Sequence, residues 1–356
     1  MTIWAELLWA AIGLGLVLYA LTGGPDLGAG VWSLLARGPR KAAQREVLHH
    51  AIAPIWEANH VWLIFVIVIL FSAFPRAFSA ISIALHIPIA LAVLGIVFRG
   101  ASFAFHAYGI YTERTRERWS RVFYISSIAT PVLLGVVAGA LGTGHIRVIN
   151  YRVTTGFLAG WTTPFAWVVG AFTLSLFATL AGVYLSAEAE DPEVAADFRR
   201  RAIAAELVTG ALAALVTWRA SVEAPLLYER LMKSTWTWLV QAGAAALAVT
   251  TLLFLWVREL RAARFSCAAQ AAFVVVGWGL AMDRHFVLPD VSVAYSIGYA
   301  PVLPAFALAF GGGALLLIPA FWYLLRVFKA KHRAAPAPAV SPSPAQRQSN
   351  TRSTST

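Results

Sequence analysis

The chain has 356 residues, of which 59% are hydrophobic and 13% are charged. A soluble domain of average composition carries about 25% charged residues, so this composition excludes an ordinary soluble protein. Apolar segments of nearly bilayer-spanning length recur along the chain and show no strict alternation of polar and apolar residues. Backbone polar groups at membrane depth must be satisfied within the protein, which leaves helices for such segments. We therefore predict an all-α polytopic membrane protein.

The charge balance and the cysteine content exclude further classes. The chain has 28 Lys and Arg against 17 Asp and Glu, a net charge of +11. The positive residues lie mainly in short loops between apolar segments, where they orient a membrane protein and meet anionic lipid. We therefore predict no nucleic-acid partner. The single cysteine, Cys267, excludes an internal disulfide, a Cys-x-x-Cys-His haem attachment and a cysteine-ligated cluster.

Hydropathy predicts about nine transmembrane helices, each near the ~20 residues that a bilayer requires. In chain order the predicted spans are 3–22, 52–73, 77–98, 122–141, 163–185, 203–219, 236–257, 266–283 and 304–326. The first span lacks a basic leader, so we expect it to be retained rather than cleaved. We predict one transmembrane domain over residues 1–330. Residues 331–356 are rich in Ala, Pro, Ser and Thr, which predicts a disordered cytoplasmic tail.

The loops alternate in their content of Lys and Arg. The basic loops follow spans 1, 3, 5 and 7, and the end of span 9 is also basic. The loops after spans 2, 4 and 8 are poorer in these residues, and the loop after span 6 fits the alternation least well. The positive-inside rule then places the N-terminus outside and the C-terminus in the cytoplasm.

A cluster of polar residues opens the second span, at residues 54–62. Glu57 and His60 are three residues apart, so they share one face of a helix and can exchange a proton directly or through water. An ionisable group inside a span is costly and indicates function by default. The alternative is an interfacial anchor, with tryptophans in the headgroup region and the carboxylate reaching water. The other members of the cluster are Trp56, Asn59 and Trp62.

The first span continues into a glycine-rich stretch that contains a proline and an acid. Pro25 cannot donate a backbone hydrogen bond, and Gly24 and Gly28 allow a local break or a close helix approach. Asp26 follows directly. It is either the cap of a resumed helix or a buried functional carboxylate.

Arg99 ends the third span on the same predicted side of the membrane as Asp26 and Glu57. An arginine near two carboxylates lowers their pKa and compensates their burial. His86, nearer the middle of this span, is more typical of a hydrogen-bonded packing residue than of a metal ligand. The sequence contains no recognisable metal-binding or nucleotide-binding motif, so proton movement is the chemistry that these residues offer.

Two motifs carry a resemblance to a known family. Gly24-Pro-Asp-Leu-Gly-Ala-Gly30, followed by Pro54-Ile-Trp-Glu-Ala-Asn-His-Val-Trp-Leu63, resembles subunit II of the cytochrome bd quinol oxidases. The family pattern is close to DGFDLGVG, then about 25 residues, then P-x-W-[DE]-x-N-x-V-W-L. The likeness covers nearly all of residues 1–330 and includes Phe71-Ser-Ala-Phe-Pro75 and Phe98-Arg-Gly100.

The resemblance implies a heterodimer in the bacterial cytoplasmic (inner) membrane. The partner, subunit I, would hold haems b558, b595 and d, oxidise quinol and reduce oxygen to water in aerobic respiratory electron transport. This chain would bind no haem alone, would stabilise subunit I, and would contact lipid. Some members have a further small single-helix subunit. The implied fold is two four-helix bundles plus one peripheral helix.

The resemblance also implies roles for single residues. The acid of the W-[DE]-x-N motif, here Glu57, is attributed to the mouth of a cytoplasmic proton channel. Asp26 matches the second acid of DGFD, and Trp56 matches a tryptophan that contacts a structural quinone in some members. The chain departs from the pattern at Gly23 and Pro25, where the family has an acid and an aromatic residue. His60 stands where Gln or Glu is common.

We therefore expect a non-haem subunit of a quinol oxidase, with a proton pathway through Glu57, Asp26, His60 and Arg99. On the residues alone, a proton- or ion-coupled secondary transporter is the alternative, because broken helices near buried carboxylates are typical of that class. A purely structural assembly subunit is the third hypothesis.

Overall fold

The apolar segments form helices throughout the chain. In the computed structural model, which describes residues 3–52, 56–108 and 113–334, the helices up to the middle of the chain are α1 (Ile3–Leu34), α2 (Lys41–Ile52), α3 (Trp56–Asn59), α4 (Val61–Ala73), α5 (Pro75–Ala84), α6 (His86–Tyr108) and α7 (Glu113–Gly142). The helices that follow are α8 (Pro164–Glu188), α9 (Pro192–Glu223), α10 (Pro225–Lys233), α11 (Thr235–Trp256), α12 (Leu260–Ala281), α13 (Val293–Ser296) and α14 (Leu303–Ala334). The predicted helical fold is confirmed, while residues 335–356 of the expected tail lie outside the described residues.

Two small antiparallel hairpins occupy the longer connections. Strands β1 (Val148–Ile149) and β2 (Arg152–Val153) pair between α7 and α8. Strands β3 (His285–Val287) and β4 (Val291–Ser292) pair after α12, and the 3₁₀ turn Ala300–Val302 precedes α14.

Several helices begin at a residue suited to that position. A proline occupies the first turn of α8, α9 and α10, where its missing N–H costs nothing. The Thr163 side chain accepts a hydrogen bond from the N–H of Ala166, and Asp191 accepts one from Glu193. These caps satisfy donors that a helix start otherwise leaves open.

The count of membrane spans agrees with the sequence prediction, although one span is irregular. Within the described ranges, eight helices are long and apolar enough to cross a membrane. The count is nine if the pair α4 and α5 is taken as one span, because the two helices together pass the same test. They bend by 116° between Ala73 and Pro75, which is the geometry of a broken span or of a re-entrant loop. The arrangement as two four-helix bundles plus a peripheral helix stays a prediction.

Two predictions about the first three spans are wrong. The break expected at Gly24, Pro25 and Gly28 does not occur, because α1 runs continuously from Ile3 to Leu34 with Pro25 inside it. The helices α4, α7, α8 and α12 pack against α1 and keep it continuous through the proline. The third span is α6 and begins at His86 rather than residue 77, since residues 75–84 form the separate helix α5.

Helix α1 lies at the centre of the packing. It contacts α4, α7, α8 and α12, and half-buried aromatic side chains surround the buried aliphatic core near its first turns. A second buried cluster forms around Trp32, whose indole N–H donates to the carbonyl of Ala178 at 2.8 Å. The described residues up to Gly311 make one compact unit, and the described residues from Gly312 make another.

Ion pairs connect the loops at each of the two ends of the first unit. At one end, Arg40 pairs with Asp197 at 2.9 Å and Arg264 with Glu188 at 3.4 Å. At the other end, Arg147 pairs with Asp290 at 2.8 Å and Arg284 with Glu6 at 3.1 Å. The loops predicted to be basic therefore meet each other, as the alternation requires. Which end faces the cytoplasm stays a prediction.

Candidate functional site

A buried ion pair joins α1 to α6. Arg99 is 1% exposed and Asp26 is 6% exposed, and a guanidinium nitrogen of Arg99 pairs with Oδ1 of Asp26. The same nitrogen donates to the backbone carbonyl of Asp26 at 3.2 Å, and Nε donates to the Ser127 hydroxyl of α7 at 3.2 Å. The guanidinium also lies 5.2 Å from the ring centroid of Phe123. Each charge offsets the cost of removing the other from water, and two buried charges require such compensation.

Glycines of α1 allow the neighbouring helices to enclose this pair. A Cβ added to Gly28 would collide with the backbone carbonyl of Phe177 in α8, and one added to Gly30 would collide with the Ser127 side chain. At Gly24 an added Cβ would lie 2.8 Å from the ring of Phe177. These positions, expected to break the helix, therefore serve close approach of α7 and α8.

The predicted polar cluster lies at the junction of α3 and α4. Asn59 is 3% exposed, Trp62 is 3% exposed, and His60 is half-buried at the N-cap of α4. Trp56 and Glu57 belong to α3, but their side chains lie outside the described part of the chain, as do residues 53–55. The structure therefore locates the helix that bears Glu57 without describing the contacts of its carboxyl group.

Tyr19 connects this cluster with the ion pair. Its ring centroid lies 5.9 Å from that of His60, and it stands two helical turns before Asp26 on α1. Both Asp26 and Arg99 are near enough to act electrostatically on Tyr19 and on His60. Sequence reasoning missed Tyr19 and Ser127, although the seven-residue spacing of Tyr19 and Asp26 was a readable signal for the first.

Several buried polar atoms of this region have no hydrogen-bond partner among the described residues. They are Tyr19 Oη, Asp26 Oδ2, Asn59 Oδ1, and both ring nitrogens of His60. Buried polar groups are nearly always hydrogen-bonded, to protein or to ordered water. A set of donors and acceptors of this kind, with a carboxylate and an imidazole in it, suits the relay of protons. We call Tyr19, Asp26, Asn59, His60 and Arg99 the α1–α4–α6 polar cluster.

The prediction that His86 lies near the middle of its span is wrong, because His86 is the first residue of α6 and is exposed. Its Nδ1 lies 2.9 Å from the carbonyl of Ile83, and its ring meets Phe157 edge-on with centroids 5.1 Å apart. Among the described residues, no group of three or more His, Cys, Asp or Glu side chains is placed to hold a metal ion.

The fold and the cluster define a class: a multi-pass helical membrane protein with a buried charged pair and, among its described residues, buried titratable groups without hydrogen-bond partners. The family follows from a direct match, because residues 4–328 fit the family model described as cytochrome bd terminal oxidase subunit II. The chain belongs to that family.

Individual relatives agree with the family match. The chain is similar to the cytochrome bd-I ubiquinol oxidase subunit 2 of Escherichia coli (strain K12), with 29% identity over 180 residues, covering 50% of this chain and 47% of that one. The chain therefore spans about half the length of this curated relative. It is also similar to the putative cytochrome bd menaquinol oxidase subunit II of Bacillus subtilis (strain 168), with 23% identity, covering 89% of this chain and 93% of the relative.

A solved structure supports the fold. A chain from the structure of the bd oxidase of Geobacillus thermodenitrificans superposes with a TM-score of 0.76 and 24% identity, covering 92% of this chain and 99% of that chain. At this identity the likeness concerns the fold.

Proposed function

We propose that this chain is the non-haem subunit of a bd-type quinol:oxygen oxidoreductase and conducts protons from the cytoplasm toward the oxygen-reducing site of its partner. The partner is the haem-bearing subunit I, with which the chain forms a heterodimer in the bacterial cytoplasmic membrane. Haems b558, b595 and d of that partner supply the redox chemistry. This chain stabilises the partner and supplies groups that hold and pass protons.

The observation that carries the proposal is the set of unpartnered buried atoms in the α1–α4–α6 polar cluster. Asp26 uses one carboxylate oxygen for Arg99 and leaves Oδ2 without a partner among the described residues, and the ring nitrogens of His60 and the hydroxyl of Tyr19 likewise have none there. Groups with open donor and acceptor positions can bind water and pass a proton, whereas fully paired groups are structural. Glu57, three residues before His60 on α3, is the proposed point of proton uptake.

Orientation follows from the charge distribution. We propose that the end bearing Arg40, Asp197 and Arg264 faces the cytoplasm, because its loops hold the excess of Lys and Arg. The cluster then lies toward that side, since Arg99 is near the C-terminal part of α6. Quinol as the reductant, a small single-helix subunit and a structural quinone at Trp56 belong to the same proposal through the family.

The experiment is the variant Glu57→Gln, which keeps the shape of the side chain and removes its titratable proton. A positioned proton donor or acceptor contributes about 10²–10⁴-fold to rate, and water replaces part of that, so we expect oxygen consumption to fall about tenfold or more. The visible haem spectrum of the purified complex should be unchanged.

The matched control is Glu57→Asp, which keeps a carboxyl group at the same position. We expect its oxygen consumption to lie between that of the parent chain and that of Glu57→Gln. Parental turnover by Glu57→Gln, with haem content intact, would contradict a proton role and favour a purely structural subunit.

The transporter hypothesis loses its main sequence argument, because that argument depended on a broken first helix and α1 is continuous. Reconstituting the chain alone in vesicles discriminates the two functions. A transporter moves a solute by itself, whereas an oxidase subunit is active only with its haem partner.

A further inference from the structure

A second acid lies inside the membrane-spanning part of the chain, away from the α1–α4–α6 polar cluster. Glu206 of α9 is 2% exposed and stands 14 residues after Pro192, where the helix begins. The basic run of α9 ends at Arg201, so at 1.5 Å per residue Glu206 lies about 8 Å further along the axis, inside the predicted span 203–219.

The partner of Glu206 is an uncharged amide. Gln270 of α12 donates from Nε2 to Oε1 of Glu206 at 2.7 Å. The other oxygen of each group, Glu206 Oε2 and Gln270 Oε1, has no partner among the described residues. No ion pair of the described residues involves Glu206.

Among the described residues, the neighbours of the pair on α9 and α12 include hydroxyl and thiol groups. Cys267, one turn before Gln270 on α12, is buried. Thr209, one turn after Glu206, lies 2.7 Å from Ser175 and 3.1 Å from Thr179, oxygen to oxygen. An ionised carboxylate at this depth lacks the compensating charge that Asp26 obtains from Arg99.

We propose that Glu206 is held as a neutral carboxylic acid, doubly hydrogen-bonded to Gln270, and is a site of modification by lipid-soluble carbodiimides. In this arrangement Gln270 Nε2 donates to Glu206 Oε1, and the proton on Glu206 Oε2 donates to Gln270 Oε1. One proton thereby satisfies both unpartnered oxygens. Glu206 is therefore a protonated group within a membrane-spanning helix that the proposed proton-uptake pathway does not use.

The carbodiimide reaction requires the protonated acid. The acid adds across one C=N bond of the reagent: its proton goes to the nitrogen, its oxygen bonds to the central carbon, and no group leaves. A shift of the acyl group from oxygen to nitrogen then gives a stable N-acylurea. Helix α9 borders the exterior of the described protein beside the acid, because Gly210, one turn after Glu206, is exposed and has no heavy atom within 4 Å of an added Cβ.

Infrared difference spectroscopy of the complex, purified through a tag on this chain, tests the protonation state. Subtracting the spectrum of Glu206→Gln from that of the parent should show one carbonyl band of a neutral carboxylic acid. In Gln270→Leu the band should shift to higher frequency, because its hydrogen bonds are lost. Loss of an ionised-carboxylate band in Glu206→Gln would overturn the proposal.

Labelling with dicyclohexylcarbodiimide in membranes, followed by peptide mass spectrometry, tests the modification. We expect a label on Glu206 that is lost in Glu206→Gln and moves to position 270 in the double variant E206Q/Q270E. Glu223 is the internal control and should stay unlabelled, because it pairs with Arg219 and accepts the N–H of Phe165 at 2.8 Å. An unlabelled position 206 in the assembled complex would overturn the modification site. Neither readout uses oxygen consumption, so the result is independent of the proposed function.

Discussion

Arg99 and Asp26 show how single residues determine what the membrane interior tolerates. Arg99 is among the largest fully buried side chains of the described residues, and its contacts are a carboxylate, a backbone carbonyl, a hydroxyl and an aromatic ring. Each of the three oxygen atoms accepts a hydrogen bond from the guanidinium, and the ring offers electron density to the cation. Loss of either residue would therefore leave the other charge buried without its partner.

Removing one member of this pair should be more harmful than removing both. Arg99→Met leaves Asp26 buried without its counter-charge, and breaking a buried pair costs about 3–5 kcal/mol. The double variant D26L/R99M removes both charges, so we expect much of the loss to be recovered. Thermal unfolding of the purified complex measures both. Equal loss in the single and the double variant would show that the helix packing, rather than the charge, determines stability here.

At the scale of the element, small residues of α1 allow other helices to pack closely against it. Its continuity past Pro25 and its close approach to α8 at Gly28 belong together, because a helix fixed on several sides keeps its axis through a proline. Gly13 of the same helix has no heavy atom within 4 Å of an added Cβ, so the glycines of α1 are not equivalent.

The substitution Gly28→Ala should therefore destabilise the protein, whereas Gly13→Ala should not. The methyl group at residue 28 would overlap the backbone of Phe177, and overpacking costs about 1–3 kcal/mol. At residue 13 the higher helix propensity of alanine should be neutral or stabilise by up to about 1 kcal/mol. The difference is measurable as the shift in the unfolding midpoint of the purified complex. Similar shifts for both variants would contradict the role assigned to Gly28.

For the molecule as a whole, the polar contacts at the two ends hold distant parts of the chain together. Arg147, between α7 and β1, pairs with Asp290 of the β3–β4 turn, and Asp290 also accepts the N–H of Val148 at 2.9 Å. Burial of Asp290 opposes its ionisation, but the hydrogen bonds from Arg147 and Val148 outweigh that effect. The pKa of Asp290 is therefore below its usual value.

This shift predicts the direction of a pH dependence. A carboxyl group whose pKa is lower in the folded than in the unfolded protein stabilises the fold fully above the unfolded value, about 3.9, and loses this contribution as pH falls through the folded value. We expect the stability of Asp290→Asn to fall less steeply than that of the parent below about pH 4. Asp283→Asn is the control, since Asp283 is 65% exposed and lies 3.6 Å from Arg230. Parallel pH profiles of the parent and Asp290→Asn would refute the assignment.

The sequence predicted the helical fold class and most of the membrane spans, because an apolar segment long enough to cross a bilayer is visible directly in the hydropathy of the chain. It misplaced the third span because residues 61–98 are apolar almost throughout, and hydropathy cannot detect the 116° bend between α4 and α5. The prediction of a helix break was wrong for a related reason. The helices that pack around Pro25 come from distant parts of the chain, so the residues next to Pro25 do not reveal them.

The sequence predicted only part of the candidate site. The common depth of Asp26 and Arg99 followed from counting spans, but their direct contact and the bond to Ser127 depend on the packing of three helices. Glu206 was readable and was overlooked: an acid between Ala205 and Leu207 in a predicted span is a functional signal by itself.

The buried pair also constrains how the chain is made. A ribosome completes α1 at Leu34, 65 residues before it reaches Arg99, so Asp26 first enters the lipid without its partner. An aspartate or arginine at the centre of an inserting helix costs about 2.5–3.5 kcal/mol. That cost persists until the third span is in place, so we expect a product truncated before residue 99 to insert its first span less completely than one that includes α6.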